Sequence, residues 1–218
     1  MHLLITAGPT HEPIDDVRYL GNRSSGQLGM AIALASCQRA WKTTLLLGPS
    51  AHQPPTHGLL EVHRFETTQE LSDLLDQHWP SCQVLLMAAA VSDYRLPPGS
   101  RPAKTPRQDQ GLDLHLESTP DLVAGLPRQN NQRIIGFALE EEAELKRRAL
   151  EKLSKKKLDA IVANPLATMN APDINAEVFF ADGSHRSTEK QAKTDFAHWL
   201  LEEVADWLES SAAAGGDK

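Results

Sequence analysis

Two kinds of segment alternate along the chain. Short, almost entirely apolar runs at residues 3–7 and 84–91 have the length and composition of strands that are covered on both faces. Segments with apolar residues at helical spacing separate such runs, beginning with residues 30–41. Further strands are predicted at residues 42–47, 61–65, 133–138 and 158–163, a rim strand at 112–117, and a hairpin from residues 177–180 and those after Asp182-Gly183. Further helices are predicted at residues 67–79, from Ser118-Thr119-Pro120-Asp121 onwards, at 141–156 and at 195–208.

The order of these elements predicts an α/β fold, a Rossmann-like, doubly wound and mostly parallel sheet with helices on both faces and a small hairpin. In such a sheet ligands bind beside the carboxyl ends of the strands, so the loops that follow four strands should line one crevice. Those loops are residues 8–29, 88–107, 137–140 and 164–175. We predict a single domain over residues 1–210 and a flexible tail over 211–218.

Composition and charge exclude several classes of protein. The 218 residues, 40% of them hydrophobic, suffice for one core, and no stretch approaches the roughly 20 apolar residues that span a membrane. A formal net charge of −7 argues against general nucleic-acid binding. Cys37 and Cys82 lie in apolar surroundings without CxxC spacing, which predicts buried thiols, and the histidines are not spaced as metal ligands. We expect a cytoplasmic protein that binds neither membranes nor nucleic acid.

The stretch "GNRSSGQLG", residues 21–29, precedes the first helix and is typical of a phosphate-binding loop. Its glycine spacing fits a P-loop, but Gln and Leu follow Gly26 where that motif has Lys and Ser or Thr. The dinucleotide fingerprint is incomplete, since only Gly26 and Gly29 remain and no acid follows the second strand. The loop is either an anion site formed by Ser24, Ser25 and Gly26 at a helix N-terminus, or a serine cap with a glycine for close packing.

Several segments, in order, carry a resemblance to a known family: "ITAGPTHEPIDDVRYLGNRSSGQLGMAIA", "MAAAVSDYR", "TPDLV", "GFALE" and "KKKLDAIVAN". Together they closely resemble phosphopantothenoylcysteine synthetase, the ligase of coenzyme A biosynthesis, over about residues 3–164 and more weakly through the last helix. The resemblance implies that CTP, with its Mg²⁺, activates 4′-phosphopantothenate as an acyl-cytidylate and releases pyrophosphate. Cysteine then displaces CMP to form the amide. ATP is the less expected nucleotide.

The resemblance implies roles for individual residues at the opening loop. Asn22 would hold the acyl-nucleotide intermediate during the cysteine step, with a turn Asn as the structural alternative. Arg18 would help to bind the intermediate or shape the dimer contact, with a surface ion pair as the alternative. Ser24, Ser25 and Gly26 would meet phosphate oxygens of the substrate or the nucleotide.

Lysines for the triphosphate would come from two other segments. Lys104 stands at the first position of the family's K-x-K-K motif, and Arg107 would substitute for the last lysine of that motif. Lys152 and Lys156, at i and i+4 on one helical face, match two nucleotide-binding lysines of the family. The alternative for this pair is a solvated run of lysines.

Further matches imply the nucleotide site. The positions are Ala88, Ala89, Ala90, Asp93, Pro120, Asp121, Leu122, Val123 and Phe137. Small side chains after the central strand would let a base or acyl chain approach the backbone, whose N–H and C=O groups would read base edges. The segment from Pro120 to Val123 and Phe137 would form the base pocket. Asp93 would touch the ribose or the magnesium ion and is the one candidate metal ligand, since no protein cluster is expected. The structural alternatives are close helix packing for the three alanines, loop capping for Asp93 and core burial for Phe137. Glu140 follows "GFAL" and has no assigned role.

Family members dimerise near the site, which implies a homodimer with a dimer-forming hairpin here. Bacterial members are often fused to a flavin-dependent decarboxylase. This chain is therefore either a stand-alone synthetase, with a separate phosphopantothenoylcysteine decarboxylase as a partner, or a domain of such a fusion. Two other function classes stay open. The incomplete glycine pattern argues against an NAD(P)-dependent reductase, whereas the altered K-x-K-K motif gives room for a catalytically silent nucleotide-binding or regulatory module.

Overall fold

Strands and helices alternate along the computed structural model, which describes residues 1–100, 103–104 and 111–215, with residues 211–215 described as helix only. In chain order the strands are β1 (His2–Ala7), β2 (His11–Pro13), β3 (Tyr19–Gly21), β4 (Lys42–Leu47), β5 (Leu60–Arg64), β6 (Val84–Met87), β7 (Tyr94–Arg95), β8 (Glu117–Ser118), β9 (Arg133–Glu140), β10 (Ala160–Pro165), β11 (Asp173–Phe180) and β12 (His185–Ala192). The α-helices are α1 (Gln27–Gln38), α2 (Thr68–His78), α3 (Leu145–Lys155) and α4 (Lys193–Gly215).

The main sheet has eight strands in the order β12-β11-β10-β9-β6-β1-β4-β5. Six of them, from β10 to β5, are parallel, and the antiparallel hairpin β11–β12 extends the sheet beyond β10. Counted along the chain, the parallel strands have the order 3-2-1-4-5-6 of the doubly wound nucleotide-binding fold. The Rossmann-like architecture predicted from the sequence is confirmed. Because the connections after β1 and β6 leave toward opposite faces, a crevice opens between the carboxyl ends of these two strands.

Helices cover both faces of the sheet in two apolar layers. On one face α1 and α4 pack against the strands and against each other, and α2 and α3 cover the other face. Alternate residues of β1 contribute to the two layers, since Leu3 and Ile5 face α1 and α4 whereas Leu4 faces α2 and α3. All three side chains are 0% exposed, which explains why this strand is apolar throughout.

Two glycines allow α1 to approach the sheet closely. Gly26 is the N-cap residue with φ of 74°, in the left-handed region that favours glycine. A Cβ atom at Gly29 would lie 2.4 Å from the Cβ of Ala7, so only glycine fits against β1 there. The helix begins at Gln27 and ends at Gln38, whereas residues 30–41 were predicted, and Ala40 with φ of 59° lies beyond the C-cap.

Two local predictions from turn and cap chemistry are confirmed. The Thr67 hydroxyl accepts from Glu70 N at 3.2 Å and the Glu70 carboxylate accepts from Thr67 N at 3.3 Å, which is the predicted capping box of α2. The turn of the β11–β12 hairpin has φ of 89° at Gly183, and Ser184 N donates to Asp182 Oδ1 at 2.7 Å. Both devices work through neighbours in sequence, so they could be recognised without the fold.

The predicted strand at residues 84–91 is too long, because β6 ends at Met87. Beyond that residue the backbone leaves the sheet and pairs with the loop that follows β1. Ala90 N donates to Gly8 O at 2.9 Å and Thr10 N donates to Ala90 O at 3.3 Å. The apolar run therefore continues past the strand into the edge of the crevice.

The predicted rim strand at residues 112–117 and the helix predicted to begin at Ser118 are both wrong. Only the last residue of that strand pairs, within the two-residue β8. Asp121 Oδ1 accepts from Val123 N at 3.2 Å and from Ala124 N at 3.4 Å, so the side chain closes a turn over residues 122–125. Aspartate competes with the helix for these N–H groups, which is why a helix start was an understandable but incorrect prediction.

Several remaining boundaries differ from the predictions. A 3₁₀ turn at Glu142–Glu144 precedes α3, so the α-helix itself begins at Leu145 rather than at residue 141. The final helix continues to Gly215, into the segment predicted to be a flexible tail. The β2–β3 hairpin within the loop after β1 was not predicted, because its strands have only three residues each.

Both cysteines are free and buried, as predicted from their apolar surroundings. Burial raises the pKa of the Cys82 thiol, which makes it a poor nucleophile at neutral pH. In the described part of the chain, no helix combines the length and the apolar character that crossing a membrane requires.

Three histidines lie in neighbouring elements, His2 in β1, His63 in β5 and His78 at the end of α2. The rings of His63 and His78 have centroids 4.2 Å apart, and His2 Nε2 is 3.0 Å from Thr44 Oγ1. The pKa values of His2 and His78 are lowered from their ordinary value of 6.5, first by burial. The second cause is the charge of Lys42 for His2 and the neighbouring ring of His63 for His78.

Acid should therefore weaken the fold through these histidines. The unfolded chain takes up protons more readily at these positions, so their contribution to stability is present above about pH 6.5 and is lost as the pH falls below that value. We expect the melting temperature to drop by about 2–4 °C more in the wild type than in His78→Gln between about pH 7 and about pH 5. Scanning calorimetry measures this difference. The control His198→Gln changes an exposed histidine of α4 and should keep the wild-type slope; equal slopes for wild type and His78→Gln would contradict the prediction.

Candidate active site at the switch point of the sheet

A cavity of about 1010 Å³ opens at the carboxyl end of the sheet, beside the switch point between β1 and β6. Residues of all four predicted loops line it, which confirms that these loops form one crevice. The turn before β9 and the last two turns of α3 complete the lining, and neither was expected from the loop positions alone. The volume is at the upper end of the range for small-molecule sites, enough for more than one ligand.

The cavity brings together most of the residues singled out from the sequence. Those that line it are Asn22, Ser24, Ser25, Gly26, Ala88, Ala89, Ala90, Asp93, Pro120, Asp121, Leu122, Val123, Phe137, Lys152 and Lys156. Two described residues of the predicted set, Arg18 and Lys104, are not part of the lining. Arg18 Nε donates to Asp15 Oδ2 at 2.9 Å in the turn between β2 and β3, and Lys104 is exposed. Arg107 lies outside the described residues.

The N-terminus of α1 opens into this cavity. Gly26 at the N-cap has no side chain to offer, and the nearest hydroxyl, Ser25 Oγ, is 3.5 Å from Gln27 N. The first turn carries no acidic residue. The positive end of the helix dipole and the first-turn N–H groups are thus directed at the cavity, which is the arrangement that binds an anion.

A serine follows β4 where dinucleotide-binding proteins place an acid for the ribose. Ser50 Oγ donates to Ser25 O at 2.8 Å and so braces the loop before α1. A hydroxyl in this position supports the loop instead of binding a ribose diol. This contact weakens the reductase alternative.

Hydroxyl groups of β1 and of the loop that follows β1 hold the loop that follows β6. Thr6 Oγ1 accepts from Ala89 N at 3.0 Å, and Thr10 Oγ1 accepts from Ser92 N at 2.8 Å. Both threonines are 0% exposed, so these bonds form in a dry environment where losing one is costly. The two loops that border the switch point therefore behave as one unit.

Asn22 completes this unit from the cavity side. Its Nδ2 donates to Val91 O at 2.8 Å, and the residue lines the cavity. The backbone groups of Ala89 N, Ala90 N, Ala90 O and Val91 O are all paired within the protein. The two N–H groups are thus occupied, whereas each carbonyl oxygen keeps a second lone pair. Reading of base edges by this stretch stays a prediction, and its small side chains do line the cavity.

A buried carboxylate ties the same unit to α2. Glu12, 5% exposed, accepts from Thr68 N at 2.8 Å and from Thr68 Oγ1 at 2.6 Å. Thr68 Oγ1 lies 3.3 Å from Thr10 Oγ1, the hydroxyl that holds the loop after β6. The position of the crevice thus depends on a hydrogen-bonded chain that runs from α2 through β2 to the loop after β6.

Lys152 of α3 and Lys156, the C-cap residue of that helix, form a cationic wall; both are called the α3 lysines below. Lys152 Nζ is 2.6 Å from Glu140 Oε1, and Lys156 Nζ is 3.1 Å from Asp121 Oδ2. The Glu140 side chain is 11% exposed and also faces Arg148 at 3.6 Å. This gives Glu140 a structural role that sequence reasoning did not find, since it fixes Lys152 at the edge of the cavity.

The predicted base pocket is divided between the two faces of the sheet. Leu122 and Val123 belong to the apolar layer of α2 and α3, whereas Phe137 packs against the layer of α1 and α4. Side chains alternate along β9, so Phe137 and the segment from Pro120 to Val123 line the cavity from opposite faces. They do not form a common wall.

Lys193 is the main residue of the cavity that the sequence did not reveal. It is the first residue of α4, and burial lowers its pKa below the ordinary value of 10.5. No motif surrounds it, and the helix was predicted to begin two residues later. Its only sequence signal is its position directly after a strand that ends at the carboxyl edge of the sheet. Lys155, Asn164 and Asn170 also line the cavity without having been assigned.

Across the described residues no cluster of three carboxylate, histidine or cysteine side chains is arranged to hold a metal ion. Asp93 is exposed at the cavity and offers a single carboxylate. One carboxylate is a sufficient protein contribution for Mg²⁺ that arrives with a nucleotide, because phosphate oxygens and water supply its other ligands. Asp93 thus has the donor chemistry that a nucleotide-borne Mg²⁺ requires from a protein.

The family model for the DNA/pantothenate metabolism flavoprotein C-terminal domain matches residues 1–208. The chain belongs to this family. The coenzyme A biosynthesis bifunctional protein CoaBC of Bacillus subtilis is 33% identical over 209 residues, which are 94% of this chain and 51% of that protein. The chain thus spans about half the length of the curated relatives it matches.

Solved structures agree with the family assignment. The C-terminal domain of a coenzyme A biosynthesis bifunctional protein CoaBC superposes with a TM-score of 0.80 at 31% identity, covering 96% of both chains. The DNA/pantothenate metabolism flavoprotein of Streptococcus pneumoniae gives 0.83 at 26% identity, covering 95% of this chain and 99% of the other. The resemblance inferred from the sequence motifs is confirmed.

The buried network at the switch point can be tested through Glu12. Glu12→Ala removes the acceptor of the buried Thr68 N and leaves Thr68 Oγ1 with only the longer contact to Thr10 Oγ1. We expect a loss of about 2–3 kcal/mol in the free energy of unfolding, seen as a lower midpoint in urea. The control Glu66→Ala changes an exposed neighbour and should stay within about 0.5 kcal/mol of wild type. A midpoint for Glu12→Ala equal to that of the control would show that the network does not stabilise the fold.

Proposed function

We propose that this chain joins 4′-phosphopantothenate to cysteine, the ligase step of coenzyme A biosynthesis, through an acyl-cytidylate intermediate. Membership of the family supports this assignment. The observation that carries it is the cavity at the switch point, which is bordered on one face by the open N-terminus of α1 and on the other by the lysines of α3. Such a cavity suits a reaction in which two anionic substrates must meet.

The proposed chemistry has two steps. In the first, a carboxylate oxygen of the acid attacks the α-phosphorus of CTP, and the bond from that phosphorus to the bridging oxygen breaks as pyrophosphate leaves. In the second, the cysteine amine attacks the acyl carbon, the bond to the phosphate oxygen of CMP breaks, and the nitrogen gives up a proton. The enzyme contributes by holding the two anions in line and offsetting the charge on the departing groups.

Residues at the cavity have distinct proposed roles. Lys152 and Lys156 would bind nucleotide phosphates, and to do so each would exchange its carboxylate partner for a phosphate oxygen. Glu140 keeps Lys152 extended toward that position. The amide of Asn22, braced by Val91 O, would hold the acyl-nucleotide during the cysteine step. Ser24, Ser25 and Gly26 would bind phosphate oxygens at the start of α1.

Two further residues keep their roles as proposals from the resemblance alone. Lys104 would approach the triphosphate as pyrophosphate leaves, and because it is exposed outside the cavity lining, this role requires the segment to move toward the nucleotide. Arg18 would help to shape a contact with a second copy of the chain. Mg²⁺ carried with CTP would neutralise phosphate charge beside Asp93 when bound.

A homodimer is the proposed assembly. Strand β12 forms one edge of the main sheet, so its outer N–H and C=O groups face away from the described strands and suit pairing with a second copy. Val17 and Tyr19, exposed to 64% and 56%, lie on either side of Arg18 and add apolar surface near the site. A separate phosphopantothenoylcysteine decarboxylase is the proposed functional partner.

The direct test is an assay with purified protein, 4′-phosphopantothenate, cysteine, magnesium and either CTP or ATP. We expect phosphopantothenoylcysteine together with CMP and pyrophosphate, identified by mass spectrometry, and faster turnover with CTP than with ATP. Equal or faster turnover with ATP would overturn the nucleotide assignment alone. Nucleotide binding without any product would favour the catalytically silent alternative.

Asn22→Asp separates the two steps. The carboxylate cannot donate to Val91 O, and its charge opposes the anionic acyl-cytidylate in the cysteine step. We expect pyrophosphate release to continue while amide formation falls by about 100-fold, so that acyl-cytidylate accumulates and can be trapped in acid-quenched samples. Asn130→Asp, on an exposed loop, is the matched control and should have wild-type rates. Amide formation at the wild-type rate by Asn22→Asp would refute the role of Asn22.

Lys152→Met tests the cationic wall. Removing this charge should raise the KM for CTP by about 10-fold and slow pyrophosphate release, with a much smaller effect on the KM for cysteine. Lys146→Met makes the same change at an exposed position of the same helix that does not line the cavity. A KM for CTP that is unchanged in Lys152→Met, or raised equally in both variants, would exclude a specific contact with the nucleotide.

A further inference from the structure

We propose that Lys193 binds the phosphate group of the acid substrate, on the side of the cavity opposite the α3 lysines. The identity of the acid rests on the proposed function. Three observations carry the inference: the position of Lys193, the absence of a carboxylate partner for it among the described side chains, and the arrangement of the two apolar layers.

The first argument is position. Lys193 begins α4 and lines the cavity. Helices α4 and α1 pack against each other on the same face of the sheet, and both begin at its carboxyl edge. Lys193 therefore stands in the same layer as the open N-terminus of α1, with the loop from Ser24 to Gly26. The lysines of α3 belong to the other layer.

The second argument is charge. Lys152 and Lys156 each contact a carboxylate, Glu140 and Asp121, so their charge is compensated before any ligand binds. Among the residues whose side chains are described, no carboxylate pairs with Lys193. Burial alone accounts for the lowered pKa of its ammonium group. A partly buried cation without a partner is unfavourable, and an anionic ligand would offset that cost.

The third argument is the shape of the substrate. The acid carries a phosphate at one end and the reacting carboxylate at the other, so the phosphate must be held away from the nucleotide. Phe137 and Ile174 line the cavity in the same layer as Lys193 and offer apolar surface for the chain between the two ends. With the phosphate at Lys193 and α1, the carboxylate can extend toward a nucleotide bound at α3. The two layers would thereby keep two phosphate-bearing ligands apart.

Lys193→Met, with Lys193→Arg as the conservative variant, tests this assignment. Equilibrium binding of 4′-phosphopantothenate and of unphosphorylated pantothenate is measured by calorimetry, and the KM values for the acid and for CTP are measured where product forms. We expect Lys193→Met to weaken binding of the phosphorylated acid by about 10- to 100-fold, with little change for pantothenate or CTP. Lys193→Arg should retain most of the affinity, which separates loss of charge from loss of folding.

Lys190→Met is the matched control. It removes a lysine charge three residues away, on β12, where the side chain is 72% exposed and does not line the cavity. This control should bind the acid as the wild type does. An effect of equal size in both variants would mean that Lys193 acts only through the general field of the protein, and the assignment would fail.

The outcomes distinguish this inference from the proposed function. If the wild type forms product and Lys193→Met binds the acid with unchanged affinity, the ligase proposal stands and the role of Lys193 is rejected. A wild type that binds 4′-phosphopantothenate through Lys193 but forms no product would retain the phosphate site and reject the ligase. If Lys193→Met raises the KM for CTP and leaves the KM for the acid unchanged, Lys193 belongs to the nucleotide site and the inference is overturned. Failure of the wild type to bind the acid would reject both.

Discussion

The divergence of the chain at the carboxyl ends of β1 and β6 is the constraint on which the site depends. These two parallel strands are neighbours, yet their following segments leave toward opposite faces of the sheet. Backbone groups beyond both strand ends would remain unpaired without a replacement for the sheet ladder. Thr6 and Thr10 provide that replacement by accepting from Ala89 N and Ser92 N. Buried side-chain hydroxyls thus hold the crevice together with the backbone pairing between Ala90, Gly8 and Thr10.

This arrangement explains why the cavity has two unlike walls. The segment after β1 turns into α1 and presents a helix N-terminus, whereas the segment after β6 passes to the face covered by α2 and α3 and ends beside the lysines of α3. One wall binds anions through backbone dipoles and the other through side-chain charge. The two walls therefore offer an anion two different means of binding within one cavity.

Charge compensation distinguishes the lysines around this cavity. Glu140 and Asp121 hold Lys152 and Lys156 in place. These lysine side chains would therefore lose less conformational entropy when a ligand binds them. Burial lowers the pKa of the Lys193 ammonium group, which has no carboxylate partner among the described side chains. Lys152 and Lys156 are therefore paired before any ligand binds, whereas Lys193 is not.

The sequence by itself determined the alternation of strands and helices, the capping box of α2, the turn at Gly183 and the family, because each depends on residues close together in the chain. It also assigned to one crevice the loops that line it, since the carboxyl ends of parallel strands meet at one edge of a sheet. Only the tertiary structure decided that β6 ends at Met87, that Asp121 closes a turn, and that Arg18 and Lys104 lie outside the cavity lining. The tertiary structure also placed Phe137 and Val123 in different apolar layers and brought Lys193 to the cavity. The reason is physical: which face a side chain takes, and which groups satisfy a buried backbone, depends on partners distant in sequence whose hydrogen bonds and packing exist only after the layers assemble.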